Sequence, residues 1–126
     1  MASTVVRTSK RLDRVRTAMT FSNTETAVGG SETTVLDKFD AALYNSYAIQ
    51  IFNTDATAAT VKVFGSLKDE PASEGGTDWT QVGDDIAVGG NSNALKAIST
   101  TALKHLCVRA EGETAALTVI VYAEQV

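Results

Sequence analysis

The sequence predicts an all-β protein: an antiparallel two-sheet β-sandwich, jelly-roll-like, with about seven or eight strands. Its most β-branched segments alternate apolar and polar residues with period two, as half-buried strands do. Polar and glycine-containing turns separate these segments. A chain of 126 residues with 44% apolar composition can bury a sizeable core as one domain. The four clearest strands are residues 47–52, 60–64, 106–110 and 117–122.

The N-terminal region is the basic part of the chain. Residues 1–16 hold five basic side chains and one acidic one, whereas the rest of the chain holds six basic and fourteen acidic ones. A basic segment on an acidic body favours contact with something other than that body, and the alternative is a solvated tail. We therefore divide the chain into an extended basic N-terminal arm, residues 1–20, whose local conformation the composition leaves open, and a β-sandwich domain, residues 21–126. The predicted partner-binding residues of the arm are Arg7, Lys10, Arg11, Leu12, Arg14, Val15 and Arg16.

Two short strands are expected before the first long one. Residues 25–28 and 33–36 have the composition of strands. The intervening Gly29-Gly30 predicts a tight turn, because glycine adopts positive φ without strain. The strands expected between the two long pairs are residues 84–88 and 94–98.

The four long strands are predicted to form two hairpins. Alternation within each hairpin places one set of side chains on a buried face. This predicted core set is Tyr47, Ile49, Ile51, Val61, Val63, Leu106, Val108, Leu117, Val119 and Val121. The opposite face is too apolar for a free surface, so either a loop covers part of it or it meets a partner. Its apolar members are Phe52, Phe64, Cys107, Ile120 and Tyr122.

An acidic segment separates the two predicted hairpins. Residues 69–95 contain six acidic side chains and no basic one, together with the chain's only proline and only tryptophan. Trp79, beside Asp78 and Gln81, either anchors a loop in the core or stacks on a sugar ring, as in carbohydrate-binding sandwiches. These three residues are the candidate ligand-binding site. The acids also offer oxygen ligands for Ca²⁺, although the ordered spacing of a calcium-binding loop is missing.

Short patterns recur about 60 residues apart, a spacing typical of repeated structural units. Ala-Val-Gly-Gly occurs at residues 27–30 and again at residues 87–90, and the long strands align at a similar spacing. These patterns predict an internal duplication of residues 24–65 and 84–123. The alternative is that any two antiparallel strand pairs built from Val, Ala and Thr look alike.

The residues argue against catalysis. His105 is the only histidine and is predicted to begin a strand, and the sequence contains no nucleophile elbow or nucleotide-binding glycine pattern. Cys107, the only cysteine, excludes an internal disulfide and a Cys-based zinc site, and it is compatible with a reducing cytoplasm. The basic arm lacks aromatic residues for base stacking, and no apolar run is long enough to span a bilayer. We predict no enzyme activity, cofactor, metal, nucleic acid or membrane partner.

Three motifs lie within residues 46–123. They are V-x-V-F-G-S-L-x-D at residues 61–69, D-W-T-Q-V-G at residues 78–83 and L-C-V-R-A at residues 106–110. Together they resemble small β-sandwich virion structural proteins of tailed bacteriophages, of the capsid-decoration and tail-accessory type. The first 20 residues match no pattern of that family.

This resemblance implies a structural protein without catalysis or cofactor, attached to a larger shell and often forming symmetric oligomers. The expected function is that of a capsid decoration (cement) protein, made in the host cytoplasm and carried on the capsid surface. Its expected partners are the major capsid protein or another virion protein, bound through the N-terminal arm, and further copies of itself in a homo-oligomer. The alternatives are a carbohydrate-binding module that uses Trp79 to bind a glycan, and a head–tail or tail structural component.

Overall fold

The computed structural model describes residues 5–11, 17–72, 76–98 and 103–125. This part of the chain forms eleven strands in two antiparallel sheets, so the predicted all-β two-sheet sandwich is confirmed. It contains no helix long and apolar enough to cross a membrane. The strands are β1 (Val6–Arg11), β2 (Thr17–Ser22), β3 (Thr26–Val28), β4 (Thr33–Asp40), β5 (Ser46–Asn53), β6 (Ala59–Ser66), β7 (Thr80–Gln81), β8 (Ile86–Val88), β9 (Ser92–Ile98), β10 (His105–Gly112) and β11 (Ala115–Glu124).

The strand order is that of a jelly roll. Sheet A has the order β1-β2-β11-β5-β9, and sheet B has the order β4-β10-β6-β7. The short strand β3 pairs with β11 next to the part that β2 occupies, and β8 pairs with β6 next to the part that β7 occupies. Counting each of these pairs as one interrupted strand gives two four-stranded sheets, with β1 added to sheet A. The predicted seven or eight strands therefore agree with the observed eleven once the interruptions and β1 are allowed for.

The two predicted hairpins are wrong, although all four of their strands exist. β5 pairs with β11 and β9 in sheet A, whereas β6 pairs with β10 in sheet B. Each predicted hairpin therefore crosses from one sheet to the other. The alternation of apolar residues fits both arrangements, because strands that face each other across a sandwich bury the same positions as neighbours in one sheet.

The core lies between the two sheets. All ten residues of the predicted core set are at most 4% exposed, so the predicted buried faces are confirmed. The sequence analysis missed an aromatic stack at one side of the sandwich, where the rings of Phe21 on β2 and Phe39 on β4 lie with centroids 4.0 Å apart. This stack joins β2 of sheet A to β4 of sheet B.

Two Gly-Gly pairs, Gly29-Gly30 and Gly89-Gly90, lie where the chain crosses between the sheets rather than in tight hairpin turns. Gly29-Gly30 connects β3 of sheet A to β4 of sheet B, and neither glycine has positive φ, so the predicted turn is wrong. At the second pair, a Cβ on Gly90 would overlap the backbone carbonyl of Ala56. Glycine is needed at that position because two backbone segments approach each other closely.

Two N-terminal segments extend sheet A. The backbone of β1 pairs with β2, and β2 in turn pairs with the C-terminal half of β11. The domain division at residue 20 and the duplication of residues 24–65 and 84–123 stay predictions. One pairing pattern does recur in the two halves. The short strand β3 pairs with the first residues of β11, and the short strand β8 likewise pairs with the first residues of β6.

Candidate interaction surface

The outer face of sheet A carries almost no charge. Cross-strand registry places Tyr122 beside Thr20 and Ala48, and Ile120 beside Ser22 and Gln50. These positions alternate with the buried ones, so they point away from the core. We call this surface the uncharged face, and Glu124 lies at its margin. Its members are Thr20, Ser22, Ala48, Gln50, Phe52, Asn93, Leu95, Ala97, Thr118, Ile120 and Tyr122.

Large apolar side chains occupy the middle of the uncharged face. Leu95 is 66% exposed, and Phe52, Ile120 and Tyr122 are half-buried by their neighbours. Depletion of charge together with aromatic and aliphatic residues is typical of the central part of a protein–protein interface. The sequence analysis flagged Phe52, Ile120 and Tyr122 but missed Leu95, because its side-chain direction follows only from the registry of β9 on β5.

The outer face of sheet B is charged. Arg109 on β10 and Lys62 on β6 lie opposite each other, and both approach Glu32. The buried Nε of Arg109 lies 3.0 Å from Oε1 of Glu32, but the alignment is outside hydrogen-bond geometry, so the contact is an ion pair. An Nη atom of Arg109 also donates to the Glu32 carbonyl at 3.1 Å. This network ties β4, β6 and β10 together.

A loop covers the other half of the sheet B outer face. The described residues of this loop, 67–72 and 76–79, reach β4 through Lys38, whose Nζ donates to the Pro71 carbonyl at 2.9 Å. They reach β10 through His105, whose Nε2 lies 3.0 Å from the Asp69 carbonyl. Cys107, which alternation on β10 directs outward, is fully buried. The expected cover by a loop therefore holds for sheet B.

Two of the three candidate ligand-binding residues, Trp79 and Asp78, hold that loop together. Trp79 is only 7% exposed, and its Nε1 donates to the Ala72 carbonyl at 2.9 Å. Asp78 accepts from the Ala72 N–H at 2.7 Å and from Nζ of Lys68 at 2.9 Å, and these two hydrogen bonds lower the pKa of its carboxyl. Gln81 donates to Oδ1 of Asp85 at 2.6 Å. Burial of the indole counts against stacking on a sugar and favours the anchor interpretation.

The predicted partner-binding residues of the arm fall into two groups. Arg7, Lys10 and Arg11 belong to β1, the outermost strand of sheet A. Outside the described residues lie Leu12, Arg14, Val15 and Arg16.

A cleft opens on the side of the sandwich opposite β1. It lies between β9 of sheet A and the β7–β8 segment of sheet B and has a volume of about 420 Å³. The sequence analysis missed this cleft, because it is formed by edges of two sheets whose order the sequence does not reveal. It is lined by Val63, Val82, Gly83, Asp84, Asp85, Ile86, Lys96, Ala97 and Ile98.

The acidic residues do not assemble a metal site in the part of the chain that the structure describes. No group of three or more His, Cys, Asp or Glu side chains there is placed to hold an ion. Asp69 instead forms an ion pair with Lys104, whose hydrogen bond lowers the pKa of the Asp69 carboxyl.

Comparison with known proteins identifies the fold but no family. No protein-family model matches the sequence, and no curated protein sequence is significantly similar to it. The structure resembles that of PirA, with a TM-score of 0.54 and 16% identity over 81% of this chain and 92% of PirA. This likeness shows a shared fold.

Two further solved structures are less similar. A subunit of Bacillus endospore appendages, described as disulfide-linked pili, gives a TM-score of 0.49 at 17% identity, over 100% of this chain and 93% of its own. A chain of infectious bursal disease virus, Gx strain, gives a TM-score of 0.43 at 8% identity. The match covers 98% of this chain and 32% of the viral chain. Likeness at this level supports no statement about function.

Proposed function

We propose that this chain is a non-enzymatic virion structural protein, most specifically a capsid decoration protein that binds the major capsid protein or another virion protein. The observation that carries the proposal is the uncharged face. A soluble protein gains nothing from leaving Phe52, Leu95, Ile120 and Tyr122 together on one open sheet, whereas a protein that docks on a shell removes them from water. The bacteriophage resemblance of residues 46–123 supports the choice of partner.

The basic N-terminal arm is a second, electrostatic contact in this proposal. Surface ion pairs are screened by salt, whereas burial of apolar side chains is not. Binding to the shell is therefore expected to weaken between low and high salt without disappearing.

The test is co-sedimentation with capsids that lack this protein, purified from the virus that encodes it, and separately with the tails of that virus. Leu95→Lys places an ammonium in the middle of the uncharged face and is expected to weaken binding about tenfold or more. The matched control is Leu67→Lys, because Leu67 is 64% exposed against 66% for Leu95 but lies in the loop on sheet B. Both side chains are mostly in water, so both variants are expected to keep the unfolding free energy within about 0.5 kcal/mol.

The outcomes separate the candidate functions. Binding to capsids that Leu95→Lys abolishes and Leu67→Lys preserves supports the proposal. Binding to tails alone makes this chain a tail component, and equal loss in both variants removes the uncharged face from the docking site. Binding to neither particle, with quenching of Trp79 fluorescence by glycans, overturns the proposal in favour of a carbohydrate-binding module.

A further inference from the structure

Sheet A ends in two unpaired edges on opposite sides of the molecule. In the described part of the chain, β1 pairs only with β2, and β9 pairs only with β5. Four strand spacings separate the two edges, which is about 19 Å at the usual spacing of strands. An exposed edge offers unpaired N–H and C=O groups to another strand, and neither β1 nor β9 contains a proline that would block pairing.

The two edges differ in charge. β1 carries Arg7, Lys10 and Arg11 and no acidic residue. The cleft beside β9 carries Asp84 and Asp85 on its rim. Among the described residues, no ion pair joins either carboxylate to a cation, and Asp85 only accepts the hydrogen bond from Gln81. Two carboxylates against the single ammonium of Lys96 leave this edge negative.

The floor of the cleft is apolar. Val63, Ile86 and Ile98 form it and are at most 7% exposed. Arginine and lysine side chains place their methylene stems on apolar surface and keep the charged head at a polar rim. A volume of about 420 Å³ is within the range of sites that enclose a ligand group. The cleft therefore suits a basic, long-stemmed side chain that arrives along β9.

We propose that β1 of one copy pairs with β9 of a second copy, which brings the basic strand β1 alongside the acidic cleft of that second copy. Pairing of β1 with β1 would set basic residues against each other, so the charges select a head-to-tail contact between unlike edges. Such a contact repeats from copy to copy and produces a ring or a filament.

The direction of the strands adds a geometric expectation. All pairings within sheet A are antiparallel, and β1 and β9 are four steps apart, so the two edges run in the same direction. Copies related by a simple translation therefore pair these edges in parallel. Leu95 lies on β9, but its side chain does not line the cleft, so the contact rests on the backbone of β9 and on the cleft rather than on the large side chains of the uncharged face.

Charge reversal tests the contact directly. One variant, Asp84→Lys with Asp85→Lys, makes the cleft basic. The other, Arg7→Glu with Lys10→Glu and Arg11→Glu, makes β1 acidic whichever side of the strand meets the cleft. Each variant alone is expected to lose self-association about tenfold or more by sedimentation velocity at low salt, because both of its edges then carry the same sign. An equimolar mixture is expected to restore association, because each basic edge again meets an acidic one.

Three further measurements keep the test decisive if the β1 variant folds poorly. Wild-type association is expected to fall as salt rises, and Asp84→Asn with Asp85→Asn is expected to weaken it without touching β1. Hydrogen exchange at the backbone of β9 is expected to slow on association, whereas exchange at the central strand β11 is expected to stay unchanged. A wild-type protein that remains monomeric at low salt overturns the proposal, as does failure of the two folded reversal variants to rescue each other. Loss of capsid binding by Leu95→Lys would leave it intact.

Discussion

The outer faces of the two sheets show how one jelly roll can treat equivalent surfaces differently. In sheet B, residues 67–72 and 76–79 cover part of the outer face, and charges on the rest are paired, with Arg109 against Glu32. In the described part of the chain, no such loop lies over sheet A, and the uncharged face carries almost no charge. The first face is largely completed within the chain, whereas the second is the surface that our proposal assigns to a partner.

This contrast has a physical basis. Outward positions on a sheet are optional for folding, since the core is already supplied by the inward ones. An apolar outward residue therefore has to be explained by a cover, and Cys107 has one whereas Leu95 is 66% exposed. Stability and binding should consequently separate between the two faces: substitutions on sheet B change the unfolding free energy, and substitutions on sheet A change association.

The largest expected effect comes from removing the anchor of the sheet B loop. Trp79→Ala deletes a side chain that is 7% exposed, together with its hydrogen bond to Ala72, and is expected to cost about 3–5 kcal/mol of unfolding free energy in chemical denaturation. Leu95→Ala on sheet A is the matched large-to-small change and should stay within about 0.5 kcal/mol. Similar losses in the two variants would break the distinction between the faces.

A smaller effect is expected from the charged part of sheet B. Glu32→Ala leaves the largely buried guanidinium of Arg109 without its carboxylate and should cost about 1–3 kcal/mol. Adding Arg109→Met should recover part of that loss, because the unpaired buried charge is then gone. Glu113→Ala, in an exposed turn, is the control and should be nearly neutral. A Glu32→Ala protein as stable as the control would mean that the network contributes nothing.

The smallest expected effect is a loosening of the sheet B loop at low pH. Hydrogen bonds from Ala72 and Lys68 hold the pKa of Asp78 below its ordinary value of 3.8. The pKa of Asp78 is lower in the folded protein than in the unfolded chain. The ionised carboxylate therefore stabilises the fold at pH values above the ordinary pKa, and this stabilisation is lost as the pH falls through the folded pKa. Acidification should therefore loosen the loop and shift the emission of Trp79, the only tryptophan, to the red.

Asp78→Asn sharpens this pH test. The variant should start from a redder emission at neutral pH and show a smaller acid step, while far-UV circular dichroism confirms that the sheets persist. A step of equal size in the variant would assign the transition to another group, such as Asp69, whose pKa is lowered by its hydrogen bond from Lys104.

The candidate surface was only partly predictable from the sequence. Alternation identified Phe52, Ile120 and Tyr122 as outward apolar residues, but it could not tell that Phe64 and Cys107 lie on the other sheet. The sequence is compatible with an anchoring and a sugar-stacking role for Trp79, and its burial favours the anchor. The cleft beside β9 had no signal in the sequence, because its walls come from two strands that are not paired with each other.

The amino-acid sequence alone determined the strands and their buried sides, because period-two alternation is a local property and burial rewards it wherever the strand is placed. All ten predicted core residues are buried for this reason. Only the tertiary structure decided which strands pair. β5 and β6 are close in sequence yet lie in opposite sheets, and hydrogen bonding to β11 and β10 satisfies their backbones as well as a hairpin would. Pairing is thus set by how the whole chain closes its two sheets, and with it the uncharged face, the covered face and the two free edges.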